Sequence, residues 1–177
     1  MDGIADPVAP SLDEKVRFLS QSVAYAAHPE IVMRHETHMS WVFLAGDRVF
    51  KLKKPVRFSY LDFSTLKRRE AACRAELRLN RRLAPHVYLD VQPLTVLGRR
   101  LAIGGSGIVV DWLVVMRRLA EDTMLDRASP GADMDTRKID QLADRLADCY
   151  LQLRPALLNP AVHLGMWRNG LATNRRV

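Results

Sequence analysis

Three ionisable side chains, Lys51, Lys53 and Glu76, carry the chemistry that this sequence can support. The segment Arg48-Val-Phe-Lys-Leu-Lys-Lys54 alternates in character, so that Val49, Lys51 and Lys53 share one face of a strand and Phe50 and Leu52 the other. Phe50 and Leu52 suit a core, whereas the lysines opposite them must find water or an anion. Further on, at about 100° per residue, Leu66, Ala72, Cys73, Leu77, Leu79, Asn80 and Leu83 gather on one broad helical arc. Lys67, Arg74, Arg78, Arg81 and Arg82 gather on the opposite arc, and Glu76 falls inside the apolar one. An ionised carboxylate there is costly unless a cation meets it. The strand lysine is the natural partner, with Arg69 as a rival, and Glu70, at the edge of the arc, is the weaker choice of acid. Such a pair has two uses. It can be a purely structural ion pair, or it can hold an ammonium ready to grip the α- and β-phosphates of ATP.

The elements that must position these groups follow from periodicity. Ser11 and Glu14 form a capping box, and Val16, Leu19, Val23 and Ala26 continue at helical spacing, which predicts a helix over 12–27, closed by His28-Pro29. From Ile31 the period becomes two and runs to Ala45-Gly46-Asp47, a turn signal, after which Arg48–Lys54 returns as the second strand of a hairpin. Caps at 62–64 precede a long helix over about 65–83, ended before Pro85. Three strands are expected at Tyr88–Val96, Arg100–Ile103 and Ile108–Met116, with Gly104-Gly105-Ser106-Gly107 turning between the last two. Residues 121–135 read as irregular, with Asp133 and Asp135 as loop acids, Thr136–Leu153 reads as a helix, and 155–177 is left without an assignment. The order helix, two strands, long helix, three strands, helix predicts an α+β fold.

Composition sets the bounds. The 177 residues carry 27 Lys and Arg against 20 Asp and Glu, a net charge of +7, and 48% are hydrophobic, which excludes a mostly disordered chain. The charge is local: twelve Lys and Arg lie between Gly46 and Arg82 against Asp47, Asp62, Glu70 and Glu76, while the rest is near neutral. Such a stripe suits a nucleotide, a nucleic acid or an acidic protein, or it is a solvated helix face. The longest apolar run, Gly107–Met116, is far short of a membrane span and is broken by Asp111. The acidic, proline-bearing N-terminus predicts no secretory signal, and Cys73 and Cys149 make neither a disulfide framework nor a zinc spacing. A reduced, cytoplasmic protein with no membrane partner is expected. His35-Glu36-Thr37-His38 has the wrong spacing for a zinc helix, and Cys73 reads as a core thiol.

The stretches 35–56, 61–66 and 76–85 resemble the aminoglycoside phosphotransferase family, and more closely the bacterial branch in which such a domain is often fused to a C-terminal P-loop ATP-binding domain. The resemblance covers roughly residues 31–153. It implies a protein-kinase-like N-lobe, an antiparallel sheet of about five strands with one long helix, followed by the first helices of an incomplete C-lobe. The implied division is leader and helix at 1–30, nucleotide-binding N-lobe at 31–116, and hinge with the start of a C-lobe at 117–177.

By the same resemblance Arg48-Val-Phe-Lys51 stands where the kinase Val-Ala-Ile-Lys strand would be. Lys51 becomes the phosphate lysine, Lys53 its alternative in a shifted register, Val49 an adenine-facing residue and Glu76 the glutamate of the αC-type helix. The turn Thr37–Ser40 takes the place of the phosphate-covering loop, where Ser40 could hydrogen-bond a phosphate, although it lacks that loop's glycines. The strand ending at Met116 leads toward the hinge that reads adenine. The implied cofactor is ATP, with magnesium in intact relatives, and the implied partner is a P-loop ATPase domain, encoded separately or lost. Family members carry, further on, a His-Gly-Asp catalytic loop and a magnesium-binding Asp. Here His163 is followed by Leu-Gly-Met, and 154–177 holds no Asp or Glu. The expectation is therefore a truncated phosphotransferase-like protein that binds ATP and is inactive alone. The alternative is a basic helix face that binds nucleic acid or an acidic partner.

Overall fold

The computed structural model describes residues 9–120, 136–154, 157 and 159–175. The irregular stretch expected at 121–135, with Asp133 and Asp135, and most of the N-terminal leader lie outside the described residues. The chain divides into two units, Met1–Met134 and Asp135–Val177.

Helix α1 (Leu12–Leu19) starts on the expected capping box: the Ser11 amide donates to the Glu14 carboxylate (2.7 Å) and the Glu14 amide donates to the Ser11 hydroxyl (3.2 Å). It stops eight residues before the predicted end. The Ser20 hydroxyl donates back to the Val16 carbonyl, and one 3₁₀ turn at Ser22–Ala24 then swings Ala24 and Tyr25 into the core. Val23, predicted to lie on the buried face, is left exposed. Back-bonding of a serine to the carbonyl four residues earlier weakens the last helical turn.

Six strands form one antiparallel sheet, β1 (Val32–Glu36), β2 (Ser40–Ala45), β3 (Arg48–Lys53), β6 (Tyr88–Leu97), β7 (Arg100–Ile103) and β8 (Ile108–Arg117), in the order β1-β2-β3-β8-β6-β7. The sixth strand arises because the period-two run from Ile31 is interrupted at Thr37–Met39. The Thr37 amide and hydroxyl both donate to the Ser40 carbonyl there and close a turn that folds β1 onto β2. Gly46, at φ +63°, supplies the left-handed position of the two-residue turn between β2 and β3. Two further short strands, β4 (Arg57–Phe58) and β5 (Leu61–Asp62), pair as a separate hairpin in a stretch where no strand was expected.

Helix α2 (Leu66–Asn80) is capped by the Thr65 hydroxyl, which accepts from the Arg68 amide. The sheet has a packed layer on each face. Val16, Leu19 and Tyr25 meet Phe43, Phe50, Leu52, Leu94 and Leu113 on one side. Cys73 of α2 meets Val91 and Val114 on the other, with Leu77, Tyr88, Trp112 and Met116 packed around them. This α+β arrangement is the predicted class. Helix α2 ends three residues before the predicted end, however, and its buried stripe is narrower than predicted: Leu79 is exposed, and Leu83, exposed too, lies beyond the helix.

In the second unit, α3 (Thr136–Gln152) matches the expected helix. Helix α4 (Pro160–Asn174) forms where no assignment was made. Proline fits the first helical position because its missing N–H would be unpaired there in any case, and the Asn159 carboxamide caps the Ala161 amide at 2.9 Å.

Candidate functional site

Strand alternation turns Val49, Lys51 and Lys53 toward α2, and the helix presents Glu76 to them. Lys51 Nζ lies 2.9 Å from Glu76 Oε1 and Lys53 Nζ lies 2.5 Å from Glu76 Oε2, so each carboxylate oxygen has its own ammonium. The two lysines differ in access. The Lys51 side chain is 29% exposed and that of Lys53 only 6%, and the Lys53 ammonium also sits over the Phe63 ring at 4.9 Å. Burial pushes the Glu76 carboxyl up and is the largest single effect. The hydrogen bonds and charges of Lys53 and Lys51 together outweigh it, and the net shift is downward. The Asn80 carboxamide donates to the Glu76 carbonyl (2.8 Å) and steadies the last turn of the helix.

The other expected nucleotide-side residues are placed by register. Val49 stands opposite Met116, and Lys51 opposite Val114, across β3 and β8, so the two adenine-side candidates are cross-strand neighbours on the lysine face. Tyr88, opposite Met116 on β6, completes this face and was not singled out from sequence. Its phenol is pushed up first by burial and then by the Glu76 charge. Ser40 is buried and stands opposite Lys53, while its amide is held by the Thr37 hydroxyl. It is thus inside the layer rather than at the tip of the turn.

Arg69, the rival cation, goes elsewhere. Its Nε donates to Asp111 Oδ1 (2.7 Å), Lys15 of α1 donates to Asp111 Oδ2 (2.8 Å), and all three side chains are buried. A β-bulge makes room: the β6–β8 register passes from Leu94↔Asp111 to Thr95↔Val109, which leaves Val110 as an extra residue, and Lys15 also donates to its carbonyl (2.9 Å). Sequence reasoning saw in Asp111 only an interruption of an apolar run. The rule applied to Glu76, that a buried acid demands a cation, would have found it. Glu70, the weaker acid candidate, pairs with Arg74 at 2.9 Å on the outer face.

That outer face is partly committed. Arg74 also lies over the Trp112 ring (4.9 Å), Arg68 pairs with Asp62, and Arg81 donates to the carbonyls of Tyr88 and Leu89. Cys73 is fully buried, and desolvation pushes its thiol up to about 12. Among the described residues no group of three or more His, Cys, Asp or Glu could hold a metal ion. Among the same residues no helix is long and apolar enough to cross a membrane.

No family model matches the chain, and no solved structure matches it. It is similar to uncharacterized proteins of Mycobacterium tuberculosis and Mycobacterium bovis, 43% identical over 90 residues. Those 90 residues are 51% of this chain and only 16% of each relative's length.

Proposed function

We propose that this chain binds an ATP-type nucleotide as a kinase-like N-lobe of the aminoglycoside phosphotransferase kind. Lys51 is the phosphate-gripping cation, Glu76 the residue that holds it, and Val49 and Met116 flank the adenine. One observation carries this reading: the 2.9 Å contact between a lysine on the third strand and a glutamate on the helix that follows. Kinase-like folds use this pairing to fix a flexible ammonium against the α- and β-phosphates. The order along the chain supports it, with a tight turn, then the lysine strand, then the glutamate helix.

The residues present fit a polyphosphate. Two ammonium groups share one carboxylate, which leaves a net positive charge, and Lys51 keeps a path to solvent. The bound nucleotide would supply a transferable γ-phosphoryl group, and in a complete relative a small-molecule hydroxyl would accept it. Within these 177 residues no His-Gly-Asp segment offers a base for that acceptor, so the function proposed for this chain is binding rather than transfer. A larger phosphotransferase or a P-loop ATPase partner would be the setting. The matched relatives, far longer than the matched stretch, are compatible with that setting.

The test is calorimetric titration of the full chain with ATP, with and without magnesium, against Lys51→Ala. The expected result is binding by the parent chain and at least about a tenfold loss in the variant, corresponding to one charged hydrogen bond. An unchanged affinity, or no binding by the parent chain, ends the nucleotide reading. Salt-sensitive heparin binding that survives Lys51→Ala would instead favour the arginine face of α2.

A further inference from the structure

We infer that Lys53 is a positioning residue of the same site: it keeps Glu76 paired and in place so that Lys51 can turn to an anion without stranding a buried carboxylate. The identity of that anion rests on the nucleotide reading; the division of roles between the two lysines does not.

The asymmetry is geometric. Each lysine holds one oxygen of Glu76, but Lys53 is enclosed, closer, and packed over Phe63, whereas Lys51 retains more than a quarter of its side-chain exposure. Glu76 is itself only 14% exposed. An ammonium has three protons to donate, and those spent on a phosphate are weakened or lost at the carboxylate. With one lysine that transfer would leave a desolvated charge unpaired, at a cost that opposes binding. With two, the inner lysine stays and the outer one is free to move. The groups facing Glu76 are these two lysines from β3, Tyr88 from β6, and the neutral Cys73 one turn earlier on α2.

The roles separate by carboxyl carbon-13 NMR titration of Glu76 in the full chain, with Lys51→Met and Lys53→Met. The expected result is a Glu76 titration that stays below the ordinary range in Lys51→Met and moves above it in Lys53→Met. Equal effects, or the reverse order, overturn the proposal. If Lys53→Met does not fold, the double variant Lys53→Met with Glu76→Gln decides: recovered folding shows that the stranded carboxylate was the fault and supports the proposal, and continued failure overturns it. The ATP arm is independent. Lys53→Arg, which keeps the inner cation, is expected to hold ATP affinity within about threefold, while Lys51→Arg loses about tenfold or more because a planar guanidinium does not replace a point charge there. A larger loss in Lys53→Arg than in Lys51→Arg overturns the proposal. Absence of ATP binding by the parent chain would sink the nucleotide reading and leave the titration result standing.

Discussion

Arg69 donates its Nε proton to Asp111 at 2.7 Å, and this contact takes the arginine expected to compete with β3 for Glu76. The same carboxylate is held from the α1 side by Lys15, so a single strand residue ties α1 and α2 to the sheet. The anchor matters for the candidate site because Arg69 and Glu76 lie on one helix, two turns apart. Fixing the first end through Asp111 limits how far the second can drift from Lys51 and Lys53.

Removal of that anchor is expected to be expensive. Asp111→Ala leaves two buried cations without a counter-ion, and breaking such a network costs about 3–5 kcal/mol. Lys15→Met removes one cation and leaves the Arg69 pair intact, so its cost should be clearly smaller. Urea unfolding followed by circular dichroism gives both values, and equal losses would show that the three residues do not act as one network.

Glu76 gives stability a definite pH dependence. Its folded-state titration lies below the ordinary glutamate value of 4.5, because Lys53 and Lys51 outweigh the burial cost. A group lowered in this way stabilises the fold above its unfolded value, and the contribution fades as pH falls through the folded one. The parent chain should therefore lose stability below about pH 4.5 more steeply than Glu76→Gln, and the two curves should run parallel above it. Denaturant midpoints taken in half-unit steps from pH 3 to 7 would show this, and parallel curves throughout would place Glu76 outside the ion network.

Gly107 is held to glycine by a close approach rather than by its own torsion. A Cβ there would lie 2.5 Å from the carbonyl oxygen of Val96, a backbone atom with no flexible side chain to yield. Gly107→Ala should cost about 1–3 kcal/mol through displacement of β6 from the start of β8. Gly165→Ala, where an added Cβ meets nothing within 4 Å, serves as the control. A thermal melt that moves equally for both would remove the steric explanation.

How much was legible follows from where the signal was local. The strands at Arg48, Tyr88, Arg100 and Ile108 show alternation between turn residues, and their predicted ranges agree with the structure to within a residue at each end. The meeting of Lys51 and Glu76 was legible because an acid on an apolar arc has few ways to be neutral in effect, and the adjoining hairpin offered the cation. The β4–β5 hairpin was not, since two residues per strand give no period to detect. The end of α1 was hidden because Val23 and Ala26 kept the helical phase although the backbone leaves the helix after Leu19 and makes a 3₁₀ turn at Ser22–Ala24. Helix α4 was hidden because Pro160 and Gly165 read as breakers, although proline at a helix start is a normal first residue. The roles of Lys15 and Asp111 depend on contacts nearly a hundred residues apart, which periodicity cannot report.

Cys73 offers a direct probe of whether the site is preformed. It sits on α2 between Arg69 and Glu76, packed on Val91 and Val114, so any reagent that reaches it must first lift the helix from the sheet. Its thiol is pushed up to about 12, chiefly by burial, with the Lys53 charge opposing this and the Glu76 and Asp111 charges adding to it. At pH 8 such a thiol stays overwhelmingly protonated, and the thiolate is the reactive form. Cys149 is only partly buried. Iodoacetamide should therefore modify Cys149 first in the folded chain, with Cys73 following only at the rate at which α2 opens. Asp111→Asn, which weakens the hold on Arg69, should speed the second step without changing the first. Peptide mass spectrometry over a time course separates the two. If Cys73 reacts as fast as Cys149 in the parent chain, α2 is not docked, and Lys51 and Glu76 are not held together before a ligand arrives.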